Sequence, residues 1–97
     1  MACEIVLAPE ALEDLRALGA NVRAAVRTAL ETDLRHEPEK TSRSRIKRLR
    51  DLRRPQYRLR VGETWVFYDV FGSTVEILAI VTKSEAETWL NQFGDPV

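Results

Sequence analysis

Residues 57–70 read Tyr57-Arg-Leu-Arg-Val-Gly-Glu-Thr-Trp-Val-Phe-Tyr-Asp-Val70, and this stretch decides the fold. Apolar and basic residues alternate up to the glycine, which is typical of a strand with one buried and one basic face. Gly62-Glu63 suits a two-residue hairpin turn with glycine first, and residues 64–70 form the return strand. The stretch therefore predicts a two-stranded antiparallel hairpin.

The two-residue turn also fixes the register of this hairpin. Arg58 then lies opposite Phe67, and Arg60 lies opposite Trp65, so these four side chains share one face of the sheet. The residues of the other face are all apolar or aromatic, which makes it the core side: Tyr57, Leu59, Val61, Val66 and Tyr68. The hairpin thus separates a basic, aromatic face from a core face.

A basic run precedes and enters the hairpin. It holds nine of the chain's fifteen lysine and arginine residues, with a single acid, Asp51, among them. The formal net charge of the chain is zero, so the positive excess is local. A basic band beside aromatic residues suits a polyanion, and RNA is the first candidate. The nine residues are Arg43, Arg45, Lys47, Arg48, Arg50, Arg53, Arg54, Arg58 and Arg60.

The basic face of the hairpin has two interpretations. Guanidinium groups on alternate strand positions lie about 7 Å apart, which lets Arg58 and Arg60 span neighbouring phosphates. Trp65 and Phe67 offer surfaces for base stacking, worth about 1–3 kcal/mol per base. We also expect Arg60 to form a cation–π pair with Trp65. The alternative is solvated arginines on the open face of an antiparallel sheet, with Trp65 shielding them.

Length and composition limit the other possibilities. The length predicts one domain over residues 1–97, and 44% hydrophobic residues indicate a globular protein with a core. Cys3 has no partner for an internal disulfide, and no Cys/His cluster has metal-ligand spacing. We expect no metal and no cofactor. We find no signal peptide and no apolar run long enough to span a bilayer, so we expect a cytoplasmic protein without membrane contact.

The segment before the basic run has helical character. Residues 4–8 read as a short first strand. Two helices follow, the first beginning at Pro9 and the second capped by Asn21 and ending near Pro38. Helices joined this tightly form an antiparallel hairpin with one apolar side. Residues 37–46 are then a polar loop.

The segment after the hairpin completes the fold. Phe71-Gly72-Ser73 is a turn, and residues 75–81 form a nearly continuous apolar strand, as expected of a strand covered on both faces. Ser84-Glu85-Ala86-Glu87 is a capping box that begins a last helix. The order is strand, helical hairpin, three-stranded antiparallel meander and C-terminal helix. It predicts an α+β domain with the helical hairpin packed on one side of the sheet.

This arrangement resembles the RelE/ParE toxins of bacterial type II toxin–antitoxin systems. The most specific part of the resemblance is Tyr57-Arg-Leu-Arg-Val-Gly62, inside the longer matching stretch of residues 46–63. The likeness extends through nearly the whole chain, including residues 66–70, 75–81, 83–86 and 89–90. It implies the RelE-like fold.

The resemblance also implies a function. Family members are small toxins that a cognate antitoxin neutralises, here as a possible hetero-oligomer, and RelE-like members cut messenger RNA on the ribosome. They use clustered Lys and Arg to hold the scissile phosphate and stabilise charge as the ribose 2′-OH attacks phosphorus. Arg58 and Arg60 match the two basic strand positions of that site, and Lys83 is expected to assist them. The RNA-binding residues predicted with this function are Lys47, Arg48, Arg50, Arg53, Arg54, Trp65 and Phe67. Alternatively, Lys47, Arg48 and Arg50 line the groove for an antitoxin.

Three positions depart from the family pattern and keep two alternatives open. Trp65 stands where the family usually has an arginine, and its ring cannot replace a bidentate phosphate donor. Lys83-Ser84 lies about where the well-studied ribonucleases carry a C-terminal arginine, and Trp89 lies roughly where they carry a tyrosine. One alternative is a ParE-like inhibitor of DNA gyrase. The other is a catalytically weakened member that mainly binds its antitoxin.

The basic face also predicts the chemistry of the antitoxin. We expect an extended or amphipathic helical segment to lie over this face and the helical hairpin. Its acidic residues would pair with the arginines.

Overall fold

The computed structural model describes residues 2–97, and its elements follow the predicted order. The helices are α1 (Pro9–Ala17), α2 (Ala20–Ala29) and α3 (Lys83–Phe93), and a π-helical segment at Leu30–Leu34 extends α2. The strands are β1 (Glu4–Leu7), β2 (Ile46–Arg48), β3 (Leu52–Arg54), β4 (Tyr57–Val61), β5 (Thr64–Phe71), β6 (Thr74–Thr82) and β7 (Asp95–Pro96). The predicted α+β fold is confirmed.

The central sheet has five strands in the order β1-β6-β5-β4-β2. Strands β4, β5 and β6 are the predicted meander, and β1 joins β6 in parallel. Three short strands were not predicted: β2 pairs with β4, while β3 and β7 form a separate pair. Strand β2 could not be recognised in the sequence, because Ile46 is its one buried residue and the residues next to it are basic and exposed. Ile46 lies opposite Leu59.

The predicted register of the hairpin is confirmed. Arg58 lies opposite Phe67, and Arg60 lies opposite Trp65. At the turn Gly62 has φ of 61°, in the left-handed region that glycine enters without a steric penalty. The two faces of the sheet are therefore set by local turn chemistry.

The main core lies where the sequence predicts it, between one face of the sheet and the helices α1 and α2. Leu59, Val66 and Tyr68 are fully buried there, and the rings of Tyr57 and Tyr68 stack with centroids 5.4 Å apart. The helices contribute Ala11, Leu15, Val26, Ala29, Leu30 and Leu34. The helical hairpin thus packs on one side of the sheet, as predicted.

The other face of the sheet is only partly open, because α3 packs across β5 and β6. Phe67, Ala79 and Ala86 form a second, smaller buried cluster beneath this helix, with Trp65 and Trp89 packed against it. The interpretation of this face as an open surface is wrong for the part near β6. The part near β4 and β2 makes fewer contacts with the helix.

Two predicted helix starts are also corrected. The second helix begins at Ala20 after Gly19, so Asn21 is not its cap. The last helix begins at Lys83 rather than at Ser84, and the residue before it is Thr82. The Thr82 hydroxyl donates to a carboxylate oxygen of Glu85 at 2.7 Å, so an acid in the first turn reaches back to the cap position.

Candidate nucleic-acid interface

The part of this face that lies away from α3 is built on β2 and β4. Lys47 lies opposite Arg58, which lies opposite Phe67 on the next strand. Residues directly opposite on antiparallel strands share a face, so β2 adds a lysine beside the two hairpin arginines. The sequence predicts Lys47 as an RNA contact but does not predict this pairing, because β2 has no alternation of apolar and polar residues.

Arg58 is buried without an acidic partner. Its residue is 7% exposed, its Nε is buried with no hydrogen-bond acceptor, and it forms no ion pair with residues 2–97. Burial lowers the pKa of Arg58, and the nearby charge of Arg60 lowers it further. A desolvated cation with no acid beside it is costly unless something else offsets the cost.

The ring of Trp65 provides that compensation. The guanidinium carbon of Arg58 lies 4.4 Å from the centroid of the Trp65 ring, within cation–π range. The sequence predicted this contact for Arg60, and that prediction is wrong. The side chain of Arg60 instead turns back toward the hairpin turn, where its Nε donates to the carbonyl oxygen of Gly62 at 3.2 Å.

The two aromatic residues differ from the prediction. Phe67 has no exposed surface, because Trp89 stacks on it with ring centroids 5.0 Å apart and planes 10° apart. Phe67 therefore cannot stack with a base, and its prediction as an RNA contact is wrong. Trp65 is half-buried, with one ring face occupied by Arg58 and its edge against Phe67. Its indole Nε1 is buried and has no acceptor.

Lys83 lies at the turn end of the same face. It is the first residue of α3, and its backbone nitrogen donates to the carbonyl oxygen of Glu63 at 2.8 Å. This bond ties the start of the helix to the hairpin turn, where Arg60 also makes its contact with Gly62. The Lys83 side chain is exposed. The structure thus brings Lys83 and Arg60 to one end of the sheet.

The rest of the predicted basic band divides into free and paired residues. Lys47, Arg50 and Arg53 are exposed and form no ion pair within residues 2–97. Arg48 lies over the ring of Tyr57 with its guanidinium carbon 5.1 Å from the centroid. Lys47, Arg50 and Arg53 extend the band along β2 and the segment that follows it, whereas Arg48 lies opposite Tyr57 and therefore on the core-side face.

Arg54 does not belong to the free band. Its Nε donates to Asp69 at 2.7 Å, and its Nη2 donates to Glu76 at 3.1 Å. Asp69 is fully buried and also accepts from the backbone nitrogen of Gln56 at 2.7 Å. Because Arg54 already holds two carboxylates, its prediction as an RNA contact is not supported. An acid inside the apolar run 66–70 was the signal for this network.

The described residues limit the chemistry of the site. Within residues 2–97 no group of three or more metal-ligating side chains exists, and no helix is long and apolar enough to cross a membrane. The Tyr68 hydroxyl is not available for proton transfer, because it is buried and donates to the carbonyl oxygen of Pro38 at 2.6 Å. Burial also raises the pKa of Tyr68. The site therefore offers positive charge and hydrogen-bond donors, which suit phosphate oxygens.

The comparisons with known proteins identify the family. A family model described as the ParE toxin of the type II toxin–antitoxin system parDE matches residues 5–87. The chain belongs to the RelE/ParE family of toxins. The resemblance seen in the sequence is therefore confirmed. No curated protein matches the chain in sequence.

Solved structures of RelE/ParE toxins agree with this assignment. The toxin–antitoxin complex RelBE2 from Mycobacterium tuberculosis is 26% identical with a TM-score of 0.71, covering 84% of this chain and 99% of that chain. The RelB–RelE complex from Methanococcus jannaschii is 18% identical with a TM-score of 0.65, covering 87% and 96%. A mutant of the Escherichia coli toxin RelE in the free state is 17% identical with a TM-score of 0.57, covering 96% and 99%. The last two are similar in fold alone.

Proposed function

We propose that this RelE/ParE toxin is a RelE-like endoribonuclease that cuts messenger RNA on the ribosome. The observation that carries the proposal is Arg58, a buried guanidinium near Arg60 that forms no ion pair with residues 2–97. Folding alone does not favour such an arrangement, since a nearby acid or an apolar residue would be more stable. An arginine kept free in this way is suited to an incoming phosphate.

The reaction would proceed by stabilisation of charge. The ribose 2′-oxygen forms a bond to phosphorus while the bond from phosphorus to the 5′-oxygen breaks, leaving a cyclic phosphate and a free 5′-hydroxyl. Arg58 and Arg60 would hold the non-bridging oxygens, on which negative charge develops. Lys83 at the turn end would donate to the departing 5′-oxygen, and water would accept the proton of the 2′-hydroxyl. The ribosome would position the strand.

The exposed cations next to this centre would bind the flanking RNA. Lys47, Arg50 and Arg53 follow one another along the chain from β2 to β3 and are free of ion pairs with other described residues. Contacts of this kind bind phosphates regardless of sequence, and they weaken as salt rises. Trp65 would contribute its remaining exposed surface to a nearby base.

A cognate antitoxin is the proposed protein partner. The Mycobacterium tuberculosis and Methanococcus jannaschii relatives are toxin–antitoxin complexes, and we extend this assembly to the present chain as a hetero-oligomer in the cytoplasm. An acidic segment over the free arginines would neutralise the phosphate site. Binding of that segment would compete directly with RNA.

One observation favours a second function, inhibition of DNA gyrase. The family model that matches residues 5–87 is described as that of the ParE toxin. A gyrase inhibitor needs a binding surface and no chemistry of its own. The same surface would serve a weakened member that mainly binds its antitoxin.

Expression of the chain without an antitoxin in bacteria separates these functions. Growth, the 5′ ends of cellular messages and plasmid supercoiling would be recorded for the natural chain and for Arg58→Ala/Arg60→Ala. The matched control is Arg16→Ala/Arg27→Ala, which removes two exposed arginines from the helices α1 and α2. New 5′ ends that vanish in the first variant and persist in the control support the ribonuclease. Growth arrest with altered supercoiling and no new 5′ ends would assign gyrase instead.

A further inference from the structure

A second surface of opposite character lies at β6, on the far side of β5 from the basic residues of β2 and β4. It is a groove of about 670 Å³ between α1, β6 and α3, bordered by the β3–β7 pair. Its apolar lining includes Leu78 and Val81 of β6 and Trp89 and Phe93 of α3. Leu78 is the residue left unpaired where β6 slips its register against β5, since Phe67 pairs with Ala79 and Tyr68 with Ile77.

The rim of this groove is acidic. Five carboxylates line it: Glu10, Glu13, Asp14, Glu76 and Asp95. Its one basic residue is Arg54, whose guanidinium is already shared between Asp69 and Glu76. Within residues 2–97, Glu10, Glu13 and Asp95 form no ion pair. The groove therefore carries a net negative charge that other described residues do not balance.

The strand order explains how a chain of zero net charge holds both surfaces. Unpaired cations lie on β2 and β4, whereas the unpaired acids Glu10, Glu13 and Asp95 lie on α1 and β7, beside β6. α3 lies between the two surfaces, over β5 and β6. A polyanion bound along β2 and β4 would be repelled from the groove. The groove is therefore not an extension of the RNA surface.

Exposed apolar surface in the groove indicates a partner with apolar side chains. Phe93 is 59% exposed, and it packs on Trp89 with ring centroids 5.5 Å apart. Glu10, Glu13 and Asp95 are exposed around it, so the groove is too open to enclose a small molecule as a ligand pocket does. An exposed apolar patch with a charged rim is typical of a protein interaction site.

We propose that the groove binds a protein segment whose apolar side chains are flanked by lysine or arginine. This inference rests on the proposed function, under which the segment belongs to the antitoxin. Apolar side chains would cover Leu78, Trp89 and Phe93, and the cations would meet the unpaired carboxylates of the rim. The antitoxin would then carry two segments of opposite charge, an acidic one for the arginines and a basic, apolar one for the groove.

A second copy of this chain is a poorer occupant. Its matching surface would be the basic residues of β2 and β4, which lie on the far side of β5 from β6. A contact between two different surfaces of one molecule is heterologous, and it extends into rings or filaments rather than closing as a dimer. The charge pattern therefore favours a different protein.

The test uses the free full-length chain and three labelled synthetic peptides of equal length. The first is amphipathic with leucine and lysine, the second replaces lysine with glutamate, and the third replaces leucine with serine. Fluorescence anisotropy would measure the three dissociation constants. We expect the leucine–lysine peptide to bind at least tenfold more tightly than the other two. Equal binding of the glutamate peptide would overturn the proposal.

Variants of the chain locate the binding. We expect Glu10→Gln/Glu13→Gln and Phe93→Ser each to weaken the leucine–lysine peptide at least tenfold. The matched control Glu4→Gln/Glu63→Gln removes two exposed acids that do not line the groove, and it should change the dissociation constant less than twofold. All of these positions are exposed, so circular dichroism should show the fold retained. Equal effects of the control and groove variants would place the peptide elsewhere.

Two further measurements separate this inference from its alternatives. We expect Arg58→Ala/Arg60→Ala to bind the peptide with an unchanged dissociation constant. Peptide binding to the groove can therefore be confirmed even if the ribonuclease proposal fails. Loss of peptide binding in that variant would assign the peptide to the arginine face and overturn the groove. Sedimentation of the free chain should show a monomer. A dimer that dissociates on Phe93→Ser would assign the groove to a second copy.

Discussion

The guanidinium of Arg58 lies 4.4 Å from the ring centroid of Trp65, and this aromatic ring takes the place that an acid usually holds beside a buried arginine. Arg58 is 7% exposed, and its Nε has no acceptor. The resemblance in sequence led us to expect an arginine at the position of Trp65. On the proposed function, Trp65 replaces one phosphate donor and provides a surface that holds another, Arg58, in position. Two cationic donors remain on the hairpin, Arg58 and Arg60.

Replacing Arg58 with methionine should separate stability from function. Methionine keeps an unbranched apolar side chain under Trp65 and removes a desolvated charge. We expect the free energy of unfolding to stay the same or rise by up to about 1 kcal/mol, while toxicity is lost. Urea denaturation and growth assays would measure the two effects. A fall in the free energy of unfolding of more than about 1 kcal/mol would mean that Arg58 stabilises the fold.

Substitutions at Trp65 should report on how Arg58 is held. Trp65→Phe keeps a ring beneath the guanidinium, whereas Trp65→Leu does not. We expect the leucine variant to bind a short single-stranded RNA about fivefold more weakly than the phenylalanine variant, which corresponds to about 1 kcal/mol of cation–π energy. Anisotropy at one fixed salt concentration would compare them. If both variants bind equally, the ring does not position Arg58.

Asp69 should be essential for stability. It is fully buried and accepts from Arg54 and from the backbone nitrogen of Gln56. Asp69→Ala leaves these donors without their acceptor, and we expect a loss of about 3 kcal/mol in the free energy of unfolding. Asp69→Asn should lose less, since the amide oxygen can still accept one bond. The control Glu76→Gln breaks only the more exposed half of the network and should cost less than about 1 kcal/mol.

The stack of Trp89 on Phe67 should anchor α3 to the sheet. Trp89→Ala removes the ring that covers a fully buried phenylalanine, and we expect a loss of about 3 kcal/mol in the free energy of unfolding. Phe93→Ala is the control, because its ring is 59% exposed. It should cost less than about 1 kcal/mol by thermal unfolding or urea titration. Equal losses in the two variants would mean that the stack does not hold the helix.

The features that follow from local chemistry were predictable from the sequence. Gly62 sets the hairpin turn, and the two-residue loop then fixes which side chains lie opposite each other up to Tyr57 and Tyr68. The alternation along β4 and β5 likewise identifies Leu59 and Val66 as core residues. These predictions depend on residues close together in the chain, where the period of the backbone decides the outcome.

Features that depend on distant segments could not be predicted in the same way. Phe67 reads as an exposed strand residue until α3, starting at Lys83, is placed across it. The pairing of Arg54 with Glu76 joins residues 22 positions apart, and no local pattern announces it. The exchange of partners, in which Arg58 rather than Arg60 meets Trp65, depends on side-chain packing beneath a helix.

The sequence by itself determined the family, the hairpin register and the basic character of one face, since these depend on residue identity and on the period of the strand. The tertiary structure decided which arginines of that face are free, because an ion pair forms only where the fold brings an acid within reach. It also decided that the acids of α1 and β6 meet the aromatic rings of α3 in one groove. The sequence gives the positions of the charged residues along the chain. The strand order places the basic and the acidic residues on two separate surfaces.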